Sequence, residues 1–185
     1  MGRDKALLPY QGSTFLNHLI SLLLPCVESL IVVLGHHAAE IAASLPAAGG
    51  LSIVTNPDYK RGMLTSLQAG LSAAREAPAI LFTLVDLPAV RAQTIDRLVE
   101  EFFRHNPALA IPRYGQRRGH PVLLSGRIAR EILALPPGSS AKEVIRSHLE
   151  ETRFVDVDDP GVLRDIDLPA DYEALLGDRG DGADS

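Results

Sequence analysis

"SLIVVLG" (29–35) and "AILFTLV" (79–85) are apolar nearly from end to end. A strand with one face in water alternates between apolar and polar residues. A run without alternation is a strand buried on both faces, as in a mainly parallel sheet covered by helices on either side. Working outward, "LSIVT" (51–55), "ALAIP" (108–112), "HPVLL" (120–124) and "TRFVDVD" (152–158) have strand length and composition. Between them lie helical periods: "STFLNHLISLLL" (13–24) with Ser13 or Thr14 as N-cap, "GMLTSLQAGLSAAR" (62–75), "AQTIDRLVEEFFRHN" (92–106), "GRIAREILAL" (126–135) and "SSAKEVIRSHLE" (139–150). Alternating strands and helices predict a three-layer α/β/α sandwich with a Rossmann-like, mainly parallel sheet. "IPRYGQRRGHPVLL" (111–124) breaks the pattern: two extended pieces joined by a polar Gly-containing turn predict an antiparallel hairpin element. There is no internal repeat and no interior linker. A single domain over residues 1–176 is expected, followed by an acidic, Gly-rich tail, 177–185, of disordered composition.

Composition narrows the function classes. The chain has 185 residues, 46% hydrophobic and 22% charged, ordinary for a globular protein, with a net charge of -5. That balance does not suggest a nucleic-acid partner, although a local cationic cluster can still bind a small polyanion. The single cysteine, Cys26, excludes an intramolecular disulfide and fits a reducing cytoplasm; within "LLLPCVESL" it reads as a buried thiol. The N-terminus lacks a signal-peptide pattern, and no run of about 18 apolar residues predicts a membrane span.

In open α/β sheets ligands bind beyond the carboxyl ends of the strands, so the loops after those ends hold the candidates. Asp86 in "LFTLVDLPAV" stands at such an end, where it either holds a hard cation such as Mg²⁺ or caps the following turn. In "TNPDYKRGMLTSLQAGL" (55–71) a polar loop enters a helix near Gly62, and amides at a helix start favour anions; the segment is otherwise an ordinary strand-to-helix connection. "VLRDIDLPADY" (162–172) brings Asp165, Asp167 and Asp171 close together. Pro169 fits the first turn of a short helix, Asp171 fits its cap, and Asp167 could share a metal with Asp86. Lys5 is a point charge suited to phosphate, with Arg3 beside it, or else a solvated surface residue. His36 and His37, next to each other at a strand end, lack a third ligand nearby in the sequence and read as a polar loop. His120 opens a strand between Gly119 and Pro121, where its ring faces either the crevice or solvent.

In their order these motifs resemble the MobA-like nucleotidyltransferases, with the molybdenum-cofactor cytidylyltransferase branch the nearest in pattern. The family opens on a strand and a loop of the form LAAGxSxRMGxxKxLLPxxG. "MGRDKALLPYQG" (1–12) matches its second half, with Lys5 on the family's lysine. "NPDYKRGMLTSLQAGL" matches the nucleotide-side loop at Asn56, Gly62, Met63 and Ser66; "VDLP" matches the metal-binding aspartate at Asp86; "GHPVLL" and "DIDLPADY" match two later motifs, the last carrying Asp167. The first half of the opening signature is absent, which reads as a late start within the motif. A GDxGAR-like segment of the branch is replaced by "LPPGSSAKEVI" (135–145).

The resemblance implies a nucleotide-diphospho-sugar transferase-like fold. It implies transfer of a nucleoside monophosphate from an NTP, CTP first, to a phosphorylated pterin-type acceptor, molybdopterin first, with release of pyrophosphate. Guanylyl transfer, another small phosphorylated acceptor, or a non-catalytic nucleotide-binding remnant are the alternatives. Under this reading Gly2, Arg3, Lys5, Asn56, Gly62, Met63, Ser66 and Asp86 bind nucleotide, and Lys5 and Asp86 act in catalysis. Asp86 and Asp167 hold Mg²⁺, and His120 faces the acceptor. Neither nucleic acid nor membrane is expected as a partner; association with a molybdoenzyme or its chaperone is.

Overall fold

The inner strands divide their side chains between two helical layers, which is why they show so little polar alternation. In the computed structural model, which describes residues 4–177, the chain begins with a 3-10 turn at Lys5–Leu7 and a small antiparallel pair, β1 (Pro9–Tyr10) and β2 (Ser13–Thr14). There follow α1 (Phe15–Leu23), β3 (Leu30–Leu34), α2 (Ala38–Ala43), β4 (Leu51–Thr55), α3 (Met63–Ala73), β5 (Ala79–Phe82) and α4 (Ala92–His105). The second half comprises β6 (Leu109–Tyr114), β7 (Arg117–Arg118), β8 (Val122–Ser125), α5 (Gly126–Leu133), α6 (Ala141–Ser147), β9 (Thr152–Asp156) and α7 (Pro169–Gly177). Gly2, Arg3 and the tail from residue 178 lie outside the described residues.

On β6, Leu109 and Ile111 pack with Leu71 of α3, Ile128 and Ile132 of α5 and Val144 of α6, whereas Ala110 between them packs with Leu98 and Phe102 of α4. On β8, Val122 and Leu124 join the first group and Leu123 the second. On β3, Val32 and Leu34 face α1 and α2, and Val33 lies against Gly70 of α3. One layer is therefore α3, α5 and α6, and the other α1, α2 and α4, with the strands of the two sheets described below between them: the expected three-layer sandwich. Burial on this scale is the main stabilising contribution, about 1.5–3 kcal/mol for each large apolar side chain.

β3 and β4 pair in parallel from Leu30↔Leu51 to Leu34↔Thr55. The larger sheet has the order β5-β8-β6, with β9 parallel to β6 and β7 antiparallel to its end. Because β8 is antiparallel to both β5 and β6, β5, β6 and β9 share one direction and β8 runs against them. The expected hairpin thus has two parts. Residues 113–118 close locally through Gly115 at φ 59°, and the piece after them inserts between β5 and β6.

The run expected as a strand to residue 85 ends at Phe82, opposite Val122. Its partner can go no further in that direction, because the preceding residue, Pro121, has no N–H to donate. Thr14 caps α1, its Oγ1 accepting from the Asn17 amide at 3.3 Å. Asn106 ends α4 in the left-handed conformation. α2 follows the two histidines expected in a polar loop and was not apparent in the sequence. Cys26 is only half-buried; burial, with Asp96 nearby, raises its pKa. No helix among the described residues is long and apolar enough to cross a membrane.

Candidate active site

Asp86 follows β5 by four residues and is fixed from behind. Its backbone carbonyl accepts the Ile166 N–H at 2.9 Å, and Ile166 is fully buried with Leu8, Tyr10, Phe15 and Leu175. That one bond places Asp165 and Asp167, on either side of Ile166, beside Asp86. Asp171 secures the far end, its carboxylate accepting from the amides of Asp167 at 3.1 Å and Leu168 at 2.7 Å, so it serves as the cap expected of it.

Lys5 reaches the same point from the first turn of the chain. Ala6, next to it, is buried against β3 and α1, and Asp4 accepts from the Ala6 amide at 3.4 Å. The ammonium lies 2.5 Å from Asp167 Oδ1 and 3.5 Å from Asp86 Oδ2. Burial disfavours its charge, but the hydrogen bond with Asp167 and the charge of Asp86 outweigh that and raise its pKa. The pKa of Asp165 is also raised, first by burial and then by the charges of Asp86 and Asp167. Two carboxylates flank one ammonium, a third, Asp165, stands close enough to feel their charge, and Asp86 Oδ1 is buried with no hydrogen-bond partner. Oxygen donors, excess negative charge and an unfilled buried oxygen fit a hard divalent cation.

The second group lines a cavity of about 710 Å³ that includes Asn56, Gly62, Met63, Gln68, Phe82 and His120. Gly62 precedes α3 at φ 113°, a backbone that side-chain-bearing residues rarely adopt. Asn56 is buried and donates to Thr65 Oγ1 and Ser66 Oγ, both at 2.9 Å, while its Oδ1 accepts from the Asp58 amide. Its side chain holds the loop to the helix, and Ser66 is one of its acceptors. Met63 is 60% exposed at the helix start.

His120 connects the two groups. It packs edge-on against Phe82 at 5.6 Å, its Nδ1 is buried without a partner, and burial lowers its pKa against the opposing charges of Asp165 and Asp86. Its amide donates to Val162 O at 3.0 Å, and Gly119 lets the two backbones meet, since a Cβ there would lie 2.2 Å from that same oxygen.

The structure therefore brings Lys5, Asp86 and Asp167 together and groups Asn56, Gly62, Met63 and His120 along the adjoining cavity. Asp165 and Gln68 were not singled out as site residues by sequence. Asp165 is visible there only as one of several acids near a helix cap. Gln68 donates to the carbonyls of Ile132, Leu133 and Leu135, holding the end of α5 beside the cavity, and no local pattern announces that.

The MobA-like NTP transferase domain matches residues 1–152. The molybdenum cofactor cytidylyltransferase of Escherichia coli (strain K12) is 26% identical over 172 residues, 93% of this chain and 86% of that protein. Nicotine blue oxidoreductase of Paenarthrobacter nicotinovorans is 29% identical over 188 residues, covering 95% and 90%. The structure of Rv0371c from Mycobacterium tuberculosis H37Rv in complex with manganese superposes with a TM-score of 0.75 at 27% identity, covering 95% of this chain and 93% of that one. With the family match spanning most of its length, the chain belongs to the MobA-like NTP transferase domain family and is a nucleotidyltransferase of that type.

Proposed function

We propose that the protein transfers cytidine monophosphate from CTP to the phosphate of a pterin-type acceptor, molybdopterin, and releases pyrophosphate, in the cytoplasm. The observation that carries this reading is the Lys5 ammonium lying between the carboxylates of Asp86 and Asp167, with the second Asp86 oxygen unfilled. The choice of CTP and of the pterin rests on the likeness to the Escherichia coli cytidylyltransferase.

The reaction is an in-line displacement. An acceptor phosphate oxygen attacks the α-phosphorus, a new P–O bond forms, the bond to the β-phosphate breaks, and pyrophosphate leaves with the electron pair. Such a reaction needs positioning and charge neutralisation more than a protein nucleophile. Asp86 and Asp167 would hold the divalent ion, Mg²⁺. Bound there, it would supply charge neutralisation at the phosphate oxygens. Lys5 offsets charge on the triphosphate, moving from its carboxylate partners to the nucleotide. Gly62 leaves room for a phosphate to approach the backbone at the start of α3, with Met63 beside it, and Asn56 with Ser66 holds that loop in shape. His120, which lines the cavity and has a buried unpartnered nitrogen, orients the acceptor.

The test is pyrophosphate release with molybdopterin and each of CTP, GTP, ATP and UTP, in Mg²⁺ and in Mn²⁺, alongside thermal shifts with the same nucleotides. CTP-dependent turnover lost in Asp86→Asn supports the proposal. Preference for GTP overturns the base assignment. A protein that neither turns over nor is stabilised by any nucleotide is a non-catalytic member of the family.

A further inference from the structure

Beside the carboxylate–lysine cluster lies a second group of metal-ligating side chains that the proposed chemistry does not use. Asp4, His36 and His37 each direct one ligand atom to a common point, with all three atoms within 4.8 Å of one another. Three strands and a helix, β1, β2, α1 and β3, separate Asp4 from the histidines in the sequence, which is why the pair reads there as a polar loop.

The group is held in place by its surroundings. One Asp4 oxygen is used by the Ala6 amide, and the other lies 3.6 Å from His37 Nδ1. His37 sits at φ 50°, in the left-handed region, immediately before α2. A non-glycine residue held there costs about 1–2 kcal/mol, and such positions gather at functional sites. Gly35 accommodates Tyr59, whose Cβ would be 2.5 Å from any Cβ at that position. The Tyr59 ring backs His36 at 5.9 Å, and the two imidazoles lie 3.7 Å apart at 42°. The backbone conformation at 35–37 thus keeps two neighbouring imidazoles together instead of letting them point apart.

We propose that Asp4, His36 and His37 form a binding site for a divalent transition-metal ion of the Zn²⁺, Co²⁺ or Ni²⁺ class, distinct from the oxygen-only site at Asp86 and Asp167. Two imidazole nitrogens and one carboxylate oxygen select borderline metals over Mg²⁺, which prefers oxygen. Bonds of about 2.1 Å in tetrahedral geometry put ligand atoms about 3.4 Å apart, so side-chain rotations of little more than an ångström close the site. Three protein ligands leave a coordination position for water or an anion. Because Asp4 precedes Lys5, the proposed site lies one residue from the lysine that pairs with Asp86 and Asp167.

Co²⁺ titrated into the untagged full chain, followed by calorimetry and visible absorption, tests the site. One ion per chain is expected in millimolar Mg²⁺, which occupies the Asp86–Asp167 site and does not displace Co²⁺ from the histidines. The double variant His36→Ala/His37→Ala should bind at least about tenfold more weakly, with an unchanged melting temperature because both rings are exposed. The double variant Asp86→Asn/Asp167→Asn should bind Co²⁺ at this site as the parent does, whether or not it has lost transferase activity. Equal affinity in the parent and the double-histidine variant, loss of Co²⁺ binding in the Asp86/Asp167 variant, or no stoichiometric binding by the parent would each overturn the proposal.

Discussion

Two aspartates in loops that leave the sheet, Asp86 and Asp159, show opposite ways of keeping a carboxylate. Asp159 is 2% exposed and every contact it makes is with its own chain. Oδ2 accepts from the Arg91 amide at 2.9 Å and from Thr94 Oγ1 at 2.7 Å, Oδ1 accepts from the Gly161 amide at 2.9 Å, and the Arg91 guanidinium lies 3.8 Å away. The carboxylate ties the turn at Pro160–Leu163 to the start of α4, and Gly161 lets that turn lie directly on the Ala89 carbonyl. At Asp86 one oxygen faces Lys5 and the other is buried and empty, among acids that repel it. A carboxylate whose lone pairs the protein fills stabilises the fold. One left unfilled in a ring of like charge costs stability and is available to a ligand.

The largest effect expected is at Asp86. Asp86→Asn should lower pyrophosphate release by about 10³-fold or more, as loss of a principal charge-stabilising group does. Its stability should match or slightly exceed that of the parent, because one of three crowded charges is removed. Activity retained in a folded Asp86→Asn protein would end the contrast between the two residues.

Asp159→Ala should do the reverse. It leaves three buried donors and part of a guanidinium without their acceptor, at a cost of about 3–5 kcal/mol. For a chain of this length that lowers the melting temperature by about 6–20 °C. Turnover per folded molecule, measured well below the melting temperature, should stay near that of the parent. A small change in melting temperature with lost turnover would place Asp159 with the chemistry after all.

Lys5 lies between these extremes. Lys5→Ala should slow turnover by about 10–100-fold and raise the NTP requirement, and Lys5→Arg should restore only part, since a planar guanidinium does not replace a compact ammonium between two carboxylates. Full activity in both would make Lys5 only the counter-charge of Asp86 and Asp167.

The strands and most helices were legible in the sequence because their signals are local: apolar runs, a Thr14 cap, Gly62 and Asn106 at helix ends. Asp86 and Lys5 were legible as types, a carboxylate at a strand end and a cation in a phosphate-loop pattern. Their meeting was not. Lys5 and Asp167 are 162 residues apart, and what joins them is the Ile166-to-Asp86 backbone bond and the burial of Ile166. The placement of β8 between β5 and β6 was hidden for the same reason, since a hairpin pattern predicts a local partner and not a distant one. Asp4 became a neighbour of His36 and His37 only through the folded sheet.

The smallest effect concerns His148, which extends the contrast to a surface carboxylate pair. Its Nε2 lies 2.6 Å from Glu131 and its Nδ1 2.8 Å from Glu151, and Arg127 bridges the same two glutamates. Both ring nitrogens face carboxylates, and only the imidazolium can donate from both. The hydrogen bond with Glu151, followed by that with Glu131, raises the pKa of His148, and the same bond lowers that of Glu151. A raised histidine value stabilises the fold fully below the unfolded value of about 6.5, and the contribution disappears as pH rises through the folded value. For Glu151 the sign is opposite: its contribution is present above its ordinary value and is lost as pH falls through the lowered one. The cluster is therefore strongest in mildly acid solution. The urea midpoint of His148→Gln should fall below that of the parent at pH 6, and the gap should narrow by pH 9. A gap of the same size at both pH values would mean that the ring acts as a neutral hydrogen-bonding spacer and that its charge adds nothing to the fold.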